Sequence, residues 1–351
     1  VKSFFSDKRV LVTGCCGTVG TELVQQLIEK YQVGELVGLD NNESELFFQE
    51  QRYLQTQAHF SLGDVRDRDK LLRKMRGINM VFHAAAYKHV ELCERSPFDA
   101  VQTNILGVQN VIIAATENRV ERVVFTSSDK AVNPTNVMGT SKLMGERLMT
   151  AAHSSAREGQ TTFVSTRFGN VLGSRGSVIP IFLDQIRQGG PVTLTDPDMT
   201  RFIMSIQDAA RLVIDSAIYA NGGEVLITKM PVIRIQDLAE VMIRELAPRY
   251  SLDPSNIKIK VIGTKPGEKM YEELMSQEET RRAWELTRYF VVLPAFTNLY
   301  RKVTFSYNDL VTKEVSNPYH SGIESPWSQE ELALFLHKNN LLPEGSETNH
   351  P

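Results

Sequence analysis

The apolar positions of this chain fall into short runs separated by glycine turns and by longer stretches of helical period. Arg9-Val10-Leu11-Val12-Thr13 enters Gly14-Cys15-Cys16-Gly17-Thr18-Val19-Gly20, after which Leu23, Val24, Leu27 and Ile28 share one helical face up to Lys30. The order is strand, glycine-rich turn, helix. Further runs at Glu35-Leu36-Val37-Gly38-Leu39, 59–62, Met80-Val81-Phe82-His83, 122–126 and 162–167 predict strands, with helical segments between them, one over 97–118. Strands that alternate with helices predict an α/β fold with a doubly wound parallel sheet. Beyond residue 167, Pro191, Pro197, Pro231, Pro248, Pro254 and Pro266 punctuate short elements, as in a smaller C-terminal lobe. The expected organisation is a first domain over 1–167, a lobe over 168–340 and a disordered tail over 341–351, with later strands able to join the first sheet. Ser328-Gln329-Glu330-Glu331 reads as a capping box opening a helix whose apolar face docks on the body or on a partner subunit.

Composition narrows the classes. With 351 residues, 42% hydrophobic and 23% charged, the chain can bury a full-sized core. A net charge of -3 gives no electrostatic footprint for nucleic acid or a membrane surface. No run is long and apolar enough to span a bilayer, and the first eight residues are too polar for a signal peptide, so a soluble cytoplasmic protein is expected. Cys15, Cys16 and Cys93 form no CxxC pair and no zinc-spaced cluster. Reduced thiols with neither a redox nor a metal role are expected.

The glycine turn suits a dinucleotide. Gly14 and Gly17 permit the tight turn and close approach of a pyrophosphate, Gly20 lets helix and strand pack closely, and Thr18 and Val19 open a helix whose N–H groups face the phosphates. Asp40, at the end of the second strand, can accept hydrogen bonds from ribose hydroxyls or can cap a turn or helix. No arginine or lysine in 41–45 stands ready for a 2′-phosphate, which favours NAD over NADP. In Gly63-Asp64-Val65, Asp64 meets an adenine amino group or acts as a cap. Ala84, Ala85 and Ala86 are small where backbone must lie against a cofactor, and Lys88 follows at a strand's carboxyl end, where open α/β sheets bind ligands. Asn104, among apolar neighbours, either ties down backbone or faces the site.

The densest chemistry lies in Ser127-Ser128-Asp129-Lys130-Ala131-Val132-Asn133-Pro134 and on to Met138-Gly139-Thr140-Ser141-Lys142, after the fifth strand. Together with the glycine turn, these residues resemble an extended short-chain dehydrogenase/reductase. More narrowly, 87–90, 127–134, 169–180, 200–205 and 265–269 resemble the nucleotide-sugar 4,6-dehydratases of bacterial polysaccharide biosynthesis, the CapD-like family, which act on UDP-N-acetylglucosamine. The resemblance covers roughly residues 8–275. It implies a Rossmann-type NAD-binding domain, a homo-oligomer and a lyase whose tightly bound NAD is regenerated at each turnover.

It also implies roles: Ser128 holds the C4 oxygen, Asp129 protonates the departing C6 hydroxyl and Lys130 takes the C5 proton. The broader family carries Tyr-x-x-x-Lys, whereas this chain has Met138 and Lys142, and a thioether cannot take a proton. A subgroup carries Met there, which leaves Lys142 through water, or Asp129, as base for the C4 hydroxyl. Lys142 shares a helix face with Met138 and is expected at the nicotinamide ribose. Met138 is equally readable as a core residue. In the second lobe Asn170 and Arg175 suit a sugar or diphosphate, or local loop structure; Arg201 suits a phosphate or a structural carboxylate; Glu268 suits a ribose. Some relatives invert C5 and carry a cysteine where this chain has Ala100, so retention is expected here. The alternatives are a C5-inverting 4,6-dehydratase, a non-catalytic NAD-binding regulator suggested by the missing tyrosine, and a 4-epimerase, the last opposed by Asp129-Lys130, because epimerisation at C4 needs neither a C6 acid nor a C5 base.

Overall fold

The computed structural model describes residues 2–155, 160–174, 176–263, 267–296 and 303–343. They belong to two units, one of Val1–Phe168, Gln207–Lys229 and Leu274–Pro318, the other of Gly169–Ile206, Met230–Glu273 and Tyr319–Pro351.

In the first unit, β1 (Arg9–Thr13), β2 (Glu35–Asp40), β3 (Ala58–Leu62), β4 (Met80–His83), β5 (Arg122–Thr126) and β6 (Thr162–Arg167) lie parallel in the order β3-β2-β1-β4-β5-β6. Val10, Leu11 and Val12 are fully buried, as expected of a strand with helices over both faces. Thr13 pairs with His83 and His83 with Phe125, so the turn after β1, the alanines after β4 and the serines after β5 leave the sheet at one edge. That edge is where a parallel α/β sheet places its ligands.

Two helices depart from uniform winding. The first runs Thr18–Gln25 and ends in a π-wound turn, Gln26–Lys30. The segment expected as one helix over 97–118 is α over Pro97–Ala100, π over Val101–Leu106 and α over Gly107–Glu117. The wider turn holds Asn104, whose bonds give a local cause.

The lobe expected over 168–340 is not continuous. Val225–Thr228 adds to β6 in parallel, and Tyr289–Val292, Ala283–Leu286 and Leu310–Thr312 extend the same sheet antiparallel, to ten strands. An ion cluster anchors the return. Arg167, 1% exposed, donates to Glu146 at 2.7 and 2.6 Å, to Glu279 at 2.9 and 2.8 Å, and to the Leu274 carbonyl at 3.2 Å. Burial pushes the Glu279 carboxyl up, and the Arg167 guanidinium more than reverses this, holding it at about 2.

The second unit pairs Thr200–Met204 with Asn170–Val171 and Val232–Arg234, and Val192–Leu194 with Ile259–Val261. Helices Val178–Arg187, Ile235–Leu246 and Gln329–Lys338 share its core. The capping box forms: Ser328 accepts from the Glu331 N–H, and Glu331 accepts from the Ser328 N–H. Leu332 and Leu336 are fully buried within this unit's own core, so the helix docks on the body of the chain. Of the tail expected from 341, Leu342 is buried, and 344–351 lie outside the described residues.

Candidate active site

The glycine turn is built by close contacts. Gly14 has φ 72°, and a Cβ there would come within 2.6 Å of the Ala85 backbone nitrogen, so Ala84–Ala86 run against the turn. A Cβ on Gly20 would overlap the Gly14 carbonyl oxygen, which is how the Thr18–Gln25 helix seats its first turn, Thr18 and Val19 included, on the loop. Gly17 donates its N–H to the Gly14 carbonyl at 3.0 Å and caps that helix with no side chain across its end. Asp40 is half-buried; its Oδ2 accepts from the Cys16 N–H at 2.9 Å and its Oδ1 from the Asn42 N–H at 3.0 Å. The turn reading of Asp40 is thus realised, and each oxygen keeps a lone pair for a further donor.

Asp64 is not a cap. Its carboxylate pairs with Arg66 at 2.6 Å, a hydrogen bond that holds its pKa below the usual carboxylate range, and Asp67 caps the Arg68–Lys74 helix. Asn41 also donates to Asp64, at 3.4 Å. Val65 is buried, its carbonyl accepting from Asn110 at 3.1 Å. Lys88 is exposed just before the Val90–Arg95 helix.

Asn104 corrects a substrate-binding expectation. Buried at 1% exposure, it accepts from the Tyr87 N–H at 2.8 Å and donates to the Tyr87 carbonyl at 3.0 Å and to Ser141 Oγ at 2.9 Å. Both amide donors are committed, so Asn104 ties the loop after β4 to the Val137–Ser155 helix.

After β5, Ser127 donates its N–H to the Thr166 carbonyl at 2.7 Å, and the chain turns into a 3-10 turn, Asp129–Ala131, capped by Ser128. Ser128 Oγ donates to Asp129 Oδ1 at 2.6 Å, and Lys130 Nζ donates to the same oxygen at 3.2 Å. Asp129 is 1% exposed, and its Oδ2 has no hydrogen-bond partner among the described residues. That oxygen is buried with its hydrogen-bonding capacity unused among the described residues. A Cβ on Gly139 would overlap the Lys130 carbonyl, so the start of the Val137–Ser155 helix lies directly on this turn. One turn later Lys142 is buried, donating to the Thr126 carbonyl at 2.8 Å and lying 4.8 Å over the Phe125 ring. Burial pushes its ammonium down to about 8 despite the opposing pull of Glu146.

Met138 is a core residue. It is 3% exposed and packs with Cys93, Ala100, Val90 and Val137, so its thioether fills an apolar pocket and takes no part in proton transfer. His83 was not singled out by its sequence context, a polar residue ending an apolar strand. It is buried, bonded through Nδ1 to Thr13 Oγ1 at 2.6 Å, and held neutral at a pKa of about 3 by burial and by Lys142.

In the second unit, Asn170 is half-buried and pairs through its backbone with Ile203. Arg175 lies outside the described residues. Arg201 is 5% exposed; it donates to the carbonyls of Thr200, Met270 and Lys269 at 2.7, 3.2 and 2.8 Å and faces Glu268 and Glu272 at 3.8 Å each. These contacts tie Arg201 to the 267–272 loop. Glu268 is exposed on that loop beside it.

Comparison with known proteins agrees with this architecture. The family model described as "Polysaccharide biosynthesis protein" matches residues 10–294. A Methanocaldococcus jannaschii protein named as an uncharacterized membrane protein is 50% identical over 294 residues, 84% of this chain and 88% of its own length. No helix among the described residues is long and apolar enough to cross a membrane. A Campylobacter jejuni protein named UDP-N-acetylglucosamine 4,6-dehydratase (inverting) is 36% identical over 337 residues, 95% of this chain and 98% of its own. A Rickettsia rickettsii protein named UDP-glucose 4-epimerase is 37% identical over 294 residues, 82% and 83% of the two chains. The X-ray structure of Pen from Bacillus thuringiensis superposes with a TM-score of 0.89 at 41% identity, covering 97% of this chain and 100% of that one.

Proposed function

The chain belongs to the polysaccharide biosynthesis protein family, and we propose that its reaction is the NAD-dependent 4,6-dehydration of a UDP-N-acetylhexosamine, UDP-N-acetylglucosamine first among them, to the 4-keto-6-deoxy sugar. The observation that carries this reading is the Ser128-Asp129-Lys130 constellation, an acid oxygen without a partner and an amine on one turn beside buried Lys142.

The turn at Gly14–Gly20, the helix start at Gly17 with no side chain across it and Asp40 fit a dinucleotide: glycine at 14 and 20 lets the loop close onto its own helix and onto Ala84–Ala86 with N–H groups left at the helix start. NAD held there would supply the hydride acceptor and donor between C4 and C6. Ser128 Oγ holds the C4 oxygen, and Lys142 draws the hydroxyl proton away through water. Its ammonium, lowered to about 8, is poised for this. Once C4 is a ketone the C5 proton is acidic, and Lys130 removes it. Asp129 Oδ2 gives a proton to the departing C6 hydroxyl, which leaves as water. The resulting enone accepts hydride at C6 and a proton at C5, giving the product. Proton transfers of this kind each contribute about 10²–10⁴-fold.

We take C5 to be retained, on the apolar Ala100 that packs beside Met138. In the second unit, Asn170 and Glu268 are offered as sugar and ribose contacts. Incubation with UDP-N-acetylglucosamine and mass spectrometry should show loss of one water, and proton NMR of the product should show the starting configuration at C5. A new 4-epimer of unchanged mass would instead support the epimerase, the activity named for the Rickettsia relative.

A further inference from the structure

The glycine turn brings two thiols and a carboxylate to one point. Cys15 and Cys16 are buried, with their sulfurs 3.9 Å apart. These sulfurs and an oxygen of Asp40 all lie within 4.8 Å of one another. Two thiolates on one tetrahedral ion, at Zn–S of about 2.3 Å, sit roughly 3.8 Å apart, so the pair already has the spacing that coordination needs. A disulfide fits less well. The sulfurs would have to close to about 2.05 Å, and adjacent α-carbons, about 3.8 Å apart across a trans peptide, fall short of the usual range of roughly 4.4–6.8 Å. Asp40 is held by the Cys16 and Asn42 N–H groups at 2.9 and 3.0 Å, and each carboxylate oxygen has a second lone pair for coordination.

We propose that Cys15, Cys16 and Asp40 form a binding site for a thiophilic divalent cation of the Zn²⁺ or Cd²⁺ class, and that its occupation excludes the cofactor's ribose. Sulfur ligands select against Mg²⁺ and Ca²⁺, which take oxygen. On binding, each thiol loses its proton to solvent; two metal–sulfur bonds and one metal–oxygen bond form, and water completes the shell. No electron moves. Exclusion follows because Asp40 is also the ribose acceptor proposed above, and by linkage ion and NAD weaken each other by the same factor. That second part rests on the cofactor reading; the ion site does not.

The test uses Cd²⁺ with the purified full chain. The thiolate-to-metal charge-transfer absorption should rise and saturate at one ion per chain, survive in Cys93→Ser and vanish in Cys16→Ser. Should the cysteine variants fail to fold, Asp40→Asn keeps both thiols and should weaken the ion about tenfold or more. Saturating NAD should raise the Cd²⁺ midpoint by about tenfold or more. Absent absorption in the parent chain, its persistence in Cys16→Ser, or unchanged Cd²⁺ affinity in Asp40→Asn would overturn the site. NAD that binds without moving the midpoint would overturn the exclusion. NAD that does not bind at all would overturn the cofactor reading while leaving the ion titration to stand by itself.

Discussion

Two ionic clusters in the first unit set cations against buried carboxylates to opposite ends. Around Arg167 every charge is answered: the guanidinium donates five times, to two carboxylates and a carbonyl. Around Asp129, Ser128 and Lys130 crowd onto Oδ1 while Oδ2 has no partner among the described residues. The first arrangement has no capacity left and holds chain together; the second keeps an acid oxygen and a nearby amine in hand. Burial alone does not mark a reactive group, but burial with an unanswered valence does.

The sharpest way to separate the clusters is to delete a charge from each. Lys130→Ala should abolish dehydration and solvent-deuterium exchange at C5, a loss of about 10²–10⁴-fold or more, with NAD still bound and the melting temperature little changed; normal turnover would remove Lys130 from the mechanism. Arg167→Met should do the reverse, destabilising by about 3–5 kcal/mol in denaturant titrations because two buried carboxylates lose their partner. The same variant should alter the acid limb. Glu279, held at about 2 against an ordinary 4.5, contributes stability that is complete above 4.5 and lost as pH falls toward 2. In Arg167→Met that loss should no longer appear.

Lys142 should act at the other end of the pH range, with the same sign. Its amine is lowered to about 8 from 10.5, so the unfolded chain binds the extra proton between those values and stability should climb as pH rises through them. Lys142→Met should flatten that climb, measured by urea midpoint against pH. The smallest effect is expected at Met138→Leu, a swap of similar volume in an apolar pocket: less than about 1.5 kcal/mol and turnover within a few-fold. A large loss of turnover there, with stability intact, would return Met138 to the chemistry.

Much of this was legible in the sequence for a physical reason: it was local. The turn from Gly14 to Gly20 and the run Ser128-Asp129-Lys130 each lie within a single strand-end loop, so residue type and spacing nearly determine their geometry. Asn104, Arg201 and Arg167 were not legible in that way. Their partners, Tyr87 and Ser141, the carbonyls of 269–270, and Glu279, lie far along the chain, and only the fold shows that their capacity is already taken. The same holds for the return of 274–318 to the first sheet, which spaced prolines and short apolar runs do not announce.

That return has a consequence for how the protein is made. When β6 leaves the ribosome, the strand that covers its outer edge, Val225–Thr228, and the second carboxylate for Arg167, Glu279, have yet to be synthesised. At about 5–20 residues per second the wait for Glu279 is on the order of ten seconds, during which a sheet edge and an incompletely paired guanidinium stand open. A chain stalled before Glu279 should therefore be degraded by proteases that spare the finished one.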